Sequence, residues 1–292
     1  MKKNKIIVIL GPTSSGKTEL AVKLARKFNG EIVSADSRQV YQGLDIGTGK
    51  DLKEYGSVPY HLINIASPEK QFNLAEYQKL AYKEIDKIIK KHKTPFLAGG
   101  SGLYLQSVID GYNLTAVKPQ PYLRDFFNFL SLVKLQQLAV KNEIKLNESD
   151  FKNKRRLIRA MEINNANSAK SGLSRPRYEC LLLGLALPKE ELKEKIERRL
   201  KKMLEEEGLI LEVKKLRQQG LSWERLNELG LEYRFVAKYL QEELTYQDMF
   251  NKLNMAIRQF AKRQMTWFKR DKKIIWLKNS NEAKQKIKQF LN

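Results

Sequence analysis

The strongest constraint lies at the start of the chain. An unbroken apolar run, Lys5 to Leu10 (KIIVIL), leads into GPTSSGKT (residues 11–18) and then into TELAVKLARKF, whose apolar residues fall at helical spacing. An apolar run without alternation suits a strand covered on both faces, as the strands of parallel sheets are. The loop satisfies G-x-x-x-x-G-K-[ST] at every fixed position and sits between strand and helix, the context in which that pattern wraps phosphate. Gly11 and Gly16 let backbone N–H groups close around phosphate oxygens, Pro12, Thr13, Ser14 and Ser15 complete the turn, and the helix that follows adds the positive end of its dipole. Lys17 supplies a point charge to the terminal phosphate, and the Thr18 hydroxyl is suited to ligate Mg²⁺. The chain is therefore expected to bind a diphosphate- or triphosphate-bearing molecule together with Mg²⁺. The motif alone does not say whether the phosphate is transferred, hydrolysed or lost as a leaving group.

Beyond the loop, EIVSAD (31–36) reads as a second strand ending on a carboxylate, YHLINI (60–65) as a third, FNLAEYQKLAYKEIDKIIKKH (72–92) as a helix, and TPFLAGG (94–100) as a strand running into a glycine turn. Strands alternating with helices predict an α/β fold with a parallel sheet flanked by helices, and such sheets bind ligands beyond the carboxyl ends of their strands. A nucleotide hydrolase of this class normally ends a later strand on Asp to hold the metal; TPFLAGG ends on glycines, which weakens that reading. From about Asn113 to Ser171 the pattern turns helical and polar before YECLLLGLAL (178–187) returns to strand character. The expected division is a phosphate-loop core of residues 1–112 and 172–292, with a helical insertion at 113–171. Charged helices follow, ELKEKIERRLKKMLEEEG and NMAIRQFAKRQMTWFKR, then a last strand candidate, KKIIWL (272–277).

Charge separates the two halves. Residues 1–110 hold 17 basic and 11 acidic side chains, residues 111–292 hold 38 and 22, and the whole chain carries a formal +22. An excess of that size attracts polyanions and releases their counterions on binding, so the C-terminal part is expected to face nucleic acid; solvated lysines in a lysine-rich proteome are the alternative. A single cysteine, Cys180, excludes an internal disulfide and a multi-cysteine zinc module. No apolar stretch approaches the roughly 20 residues needed to span a bilayer. The N-terminal apolar run flows into the glycine loop instead of a cleavage site, so a cytoplasmic protein is expected.

DSRQVYQGLDIGTGK (36–50) packs two Asp, an Arg and two Gln into the loop after the second strand. Asp36 there suits a general base or a metal ligand, and on spacing it equally suits a turn. The ordered set GPTSSGKT, SADSRQVYQGLDIGTGK, AGGSGLY, NKRRLIRAMEI and IRQFAKRQMTWFKR resembles the tRNA dimethylallyltransferase family of bacterial type, over roughly residues 5 to 277. The resemblance implies transfer of a dimethylallyl group from dimethylallyl diphosphate to the exocyclic amine of the adenosine 3′ of the anticodon, with diphosphate released. It implies that Gly11 to Thr18 hold the donor diphosphate with Mg²⁺, that Thr13 and Asp36 face the reacting centre, and that Asp36 takes or orients the amine proton. Lys17 and an arginine, for which Arg199 in KEKIERRLKKM is the candidate, would stabilise the departing diphosphate.

The same resemblance assigns Ser37, Arg38 and Gln39 to the target nucleotide, Gln39 being suited to read an adenine edge through a donor and an acceptor. Ser101 in GGSGLY stands where the family usually has Thr, beside the substrate; a helix N-cap is its other reading. Arg155, Arg156 and Arg159 would grip phosphates of the tRNA anticodon arm without reading sequence. Within IRQFAKRQMTWFKR, Phe260, Trp267 and Phe268 could stack on unpaired bases or pack against the sheet, and core packing is the reading for Trp267. The protein is expected to act as a monomer, away from membranes. Two departures stand out. Glu232 replaces the glycine of a usual Gly-Tyr pair in LGLEYRFVAKYL (229–240), and the helical insertion is short. Rival readings are a nucleoside or small-molecule kinase, an RNA-binding regulator with a vestigial nucleotide site, and an isopentenyltransferase acting on a free nucleotide.

Overall fold

The computed structural model describes residues 3–114, 120–165 and 175–292. They divide into two units, Met1–Gly111 with Pro176–Asn292, and Tyr112–Arg175.

The larger unit is built on a six-stranded sheet, β1 (Lys5–Leu10), β2 (Gly30–Ser34), β3 (Tyr60–His61), β4 (Thr94–Gly99), β5 (Glu179–Gly184) and β6 (Ile275–Trp276). The strands are parallel throughout, in the order β3-β2-β4-β1-β5-β6. In β1, Ile6, Val8 and Leu10 face one core and Ile7 and Ile9 the other, so both faces are apolar and the period of two is hidden in the sequence. One face is covered by α2 (Leu74–Lys90), α3 (Gly102–Ile109), α8 (Lys189–Glu205), α9 (Leu209–Gln218), α10 (Trp223–Leu229), α11 (Leu231–Leu240) and α12 (Tyr246–Phe268). The other is covered by α1 (Lys17–Lys27) and α13 (Ser280–Leu291), whose Ala283 and Ile287 join Ile7, Ile9 and Phe96. Asn73 and Glu76 start α2 with a reciprocal capping box, satisfying the backbone N–H groups of Asn73, Ala75 and Glu76.

The strand expected over YHLINI ends after His61. Leu62 and Asn64 adopt left-handed backbone, φ 64° and 56°, which breaks a ladder, and the Asn64 side chain instead takes a hydrogen bond from Lys50 Nζ at 2.5 Å. At the other side of β2, the end of β4 comes so close that a Cβ at Gly99 would lie 2.2 Å from the Ala35 carbonyl oxygen. Only glycine lets these two backbones meet.

The smaller unit contains α4 (Pro121–Phe129), α5 (Leu132–Lys141), a single turn α6 (Glu148–Phe151) and α7 (Lys154–Asn165) around Phe127, Leu135, Ala139, Leu157, Ile158 and Met161. Its centre also holds Glu162, fully buried. Burial raises the pKa of this carboxylate, but hydrogen bonds from Arg124, the Gln120 N–H and Arg159 outweigh that and lower it.

Candidate active site

The loop of residues 11–16 bridges the end of β1 and the start of α1, as a phosphate-wrapping turn must. Its backbone is held from outside: the Thr13 N–H donates to Gln264 Oε1 at 2.9 Å, and Gln264 Nε2 donates to the Gly100 carbonyl at 2.8 Å. Buried Gln264, on α12, therefore ties the loop to the turn after β4. Among the described residues Lys17 Nζ reaches only the Pro12 carbonyl, at 3.2 Å. Desolvation lowers its pKa from 10.5 to about 8, opposed by the charge of Asp36 and assisted by that of Arg199. The Ser15 hydroxyl is buried and among the described residues has no hydrogen-bond partner, an unmet polar atom inside the loop.

A cavity of about 290 Å³ opens beyond the carboxyl edge of the sheet. Thr13, Lys17 and Thr18 line it from the phosphate loop, Ala98 and Gly99 from β4, and Asp36, Ser37, Arg38 and Gln39 from the segment after β2. Arg199 of α8, Leu231 and Glu232 of α11, and Ile257, Phe260 and Arg263 of α12 close it. Polar groups share the lining with apolar ones, Ala21, Ile32, Tyr55, Leu229 and Ile257. That composition suits a ligand that is part phosphate and part hydrocarbon.

Asp36 adopts the turn geometry and still faces the cavity. Its Oδ1 accepts from the N–H groups of Arg38 at 2.8 Å and Gln39 at 3.4 Å, and among the described residues its Oδ2 accepts nothing. Ser101 occupies the N-cap position of α3 without capping it. Its hydroxyl instead accepts the Ser37 N–H at 2.9 Å, joining the β4 turn to the Asp36 segment. Gln39 is held by its own chain: Oε1 accepts from Ser34 Oγ at 3.3 Å, and Nε2 donates to the Thr48 and Gly49 carbonyls, both at 3.4 Å. The Arg199 guanidinium lies against Gly49, where a Cβ would fall 1.4 Å from Nη2; with φ at +61°, that position accepts glycine on both counts.

Arg155, Arg156 and Arg159 belong to the smaller unit, on α7. Arg155 is exposed, Arg156 is ion-paired with Asp150, and Arg159 binds buried Glu162 at 3.0 Å. Arg159 is thus partly committed to its own unit. Trp267 packs on Gly102 at the start of α3, while Phe260 is partly exposed at the cavity with Arg263 over its ring.

Gln264 carries no signal of its own in the sequence, where the segment IRQFAKRQMTWFKR is dominated by aromatics and cations. Glu232 was visible only as a departure. In the fold it is the cavity's second carboxyl group; burial pushes its pKa up to about 7, with Asp36 adding to the shift and its own backbone N–H, Arg199 and Arg38 opposing it.

The model of one protein family, IPP transferase, matches residues 39–271. The chain belongs to that family. It is 46% identical over 266 residues to tRNA dimethylallyltransferase 2 of Citrifermentans bemidjiense, covering 91% of this chain and 86% of that protein. It is 42% identical to tRNA dimethylallyltransferase 1 of Geotalea uraniireducens, covering 98% and 96%. Among solved structures, the full-length tRNA isopentenylpyrophosphate transferase of Bacillus halodurans superposes with a TM-score of 0.74 at 34% identity, covering 99% of this chain and 96% of that one. A eukaryotic dimethylallyltransferase solved acting on tRNA matches with a TM-score of 0.72 at 26% identity, over 90% of this chain and 69% of that one. The expected α/β sheet with flanking helices is the fold these family members share. Among the described residues no helix is long and apolar enough to cross a membrane.

Proposed function

We propose that this protein is a tRNA dimethylallyltransferase, moving a dimethylallyl group from dimethylallyl diphosphate to the exocyclic amine of the adenosine 3′ of the anticodon and releasing diphosphate. The observation that carries this reading is a cavity lined together by the phosphate loop, by Asp36 and Gln39, and by apolar side chains.

In this reading Lys17, the loop N–H groups and Arg199 hold the diphosphate and stabilise the charge that grows on it as the allylic C–O bond breaks. Thr18 and the unpartnered Ser15 hydroxyl are oxygen donors suited to Mg²⁺ or to a phosphate oxygen, and a hard cation of that kind asks for few protein ligands when phosphates and water complete its shell. When bound, Mg²⁺ would neutralise diphosphate charge. Asp36, through its free Oδ2, accepts the proton that the amine loses as the C–N bond forms. The adenosine must leave its stack to enter the cavity, and Phe260 and Arg263 provide an aromatic and a cationic surface against which it can rest. Arg155 and Arg156 of the smaller unit would take phosphates of the anticodon arm. The enzyme would work in the cytoplasm as a monomer.

The test incubates the protein with Mg²⁺, labelled dimethylallyl diphosphate and an unmodified anticodon stem-loop, beside free AMP. Label is expected in the stem-loop alone, with Asp36→Ala slowing transfer by about 10²- to 10⁴-fold. Label on AMP alone, or phosphate transfer from ATP, would overturn the reading.

A further inference from the structure

Three successive backbone N–H groups converge on one side chain far away in sequence. Glu212 Oε2 accepts from Asp45 N at 2.9 Å and Ile46 N at 2.7 Å, and Oε1 accepts from Gly47 N at 3.1 Å and from the Tyr233 hydroxyl at 2.7 Å. Consecutive N–H groups arranged in this way form a cradle for an anion. Here the anion is the protein's own. A carboxylate has about four acceptor sites, so Glu212 has none left for a substrate.

What the cradle carries is the wall of the active site. The turn closes through Gly49 N to the Ile46 carbonyl at 2.8 Å and Lys50 N to the Asp45 carbonyl at 3.0 Å. Its next two residues offer the carbonyls that hold Gln39 and the bare α-carbon against which Arg199 lies. Tyr233 both donates to Glu212 and presses its ring on Gly47, where a Cβ would lie 2.7 Å away. A shift of the turn would therefore move Arg199 and Gln39 together.

We propose that Glu212 is a positioning residue for the reaction, fixing the turn of residues 45–49 so that Arg199 and Gln39 meet their substrates at set places. The inference rests on the proposed transfer reaction and assigns Glu212 no contact with substrate.

Its test is a double-mutant cycle on the single-turnover rate of transfer from labelled dimethylallyl diphosphate to saturating stem-loop, using Glu212→Gln, Arg199→Ala and the pair. Gln keeps the volume but replaces one acceptor with a donor facing N–H groups. Glu212→Gln is expected to slow transfer by about tenfold or more in the wild-type background, and by less than about threefold once Arg199 is absent, because residues acting through one another are not additive. A clamp that merely stabilised the fold would lower the rate by the same factor in both backgrounds, and that result, or no loss at all, overturns the proposal. If Glu212→Gln does not fold, Tyr233→Phe, which leaves three of the four hydrogen bonds, is run through the same cycle, with the same pattern expected at smaller size. Inactive wild-type protein would sink the functional reading itself; active wild type with additive losses sinks only the role of Glu212.

Discussion

Strand β2 carries a carboxylate near each end, and the two live under opposite electrostatic regimes. At the amino edge of the sheet Glu31 is 1% exposed and meets His61 Nε2 at 2.7 Å, Lys93 Nζ at 2.9 Å and Lys91 Nζ at 3.3 Å. Burial pushes its pKa up, yet hydrogen bonds from Lys93, His61 and Lys91 outweigh that and bring it down to about 2. At the carboxyl edge, Asp36, Lys17, Arg38 and Arg199 form no ion pair with any described residue, although all four line one cavity. One edge pairs its charges with each other; at the other, burial brings Lys17 down to about 8, with Asp36 opposing the shift and Arg199 adding to it. The three cations among the four, kept without ion-pair partners at a cavity, become favourable when an anion enters.

Substitutions at the two edges should therefore separate activity from stability. The largest effect is expected from Lys17→Ala, which should slow transfer by about 10³-fold while leaving the thermal midpoint unchanged or raised, since a desolvated cation is removed. Rate and calorimetry on the same preparation check this, and a lowered midpoint would break the contrast. Glu31→Gln should do the reverse, costing about 2 kcal/mol of stability with the rate per folded molecule unchanged. Because the folded pKa of Glu31 lies below the unfolded value of 4.5, its contribution is complete above about pH 4.5 and is lost as pH falls toward 2; the acid limb of wild-type stability, but not of Glu31→Gln, should show it. Affinity for inorganic pyrophosphate should weaken as pH rises through about 8, where free Lys17 loses its proton. At Glu232, Gln should remove an inflection near pH 7 from kcat/KM without abolishing transfer, and a profile identical to wild type would show that the second carboxyl is a bystander. The smallest effect belongs to the smaller unit, where Arg155→Gln should reduce the slope of log affinity against log salt by about 0.7 to 0.9.

The sheet was legible because its signals are local. KIIVIL, EIVSAD and TPFLAGG declare buried strands by their apolar runs, and GPTSSGKT declares the turn between the first of them and α1 by its fixed positions. The overcall at YHLINI shows the limit of that reasoning, since apolar content does not report the left-handed backbone at Leu62 and Asn64. The far wall of the cavity was less legible. Leu229 to Arg234, Phe260 and Gln264 come from three helices, and their meeting depends on how those helices pack on one face of the sheet. Glu212 carried no sequence signal at all, for a glutamate in the first turn of a charged helix is ordinary until the loop it holds is seen beside it.

The strand order has one more consequence. Because β4 runs between β1 and β2, the turn after β1 and the turn after β2 stand two strand spacings apart, about 10 Å, with the side-chain-free Gly99 and Gly100 between them. The arrangement works as a caliper whose jaws are loops and whose beam is the hydrogen-bonded ladder. Changes in the jaws can alter which molecules are grasped, but the spacing of the strands that carry them is set by the hydrogen-bonded ladder. Evolution can thus retune the two substrates of such an enzyme separately while the distance across which they must meet stays fixed.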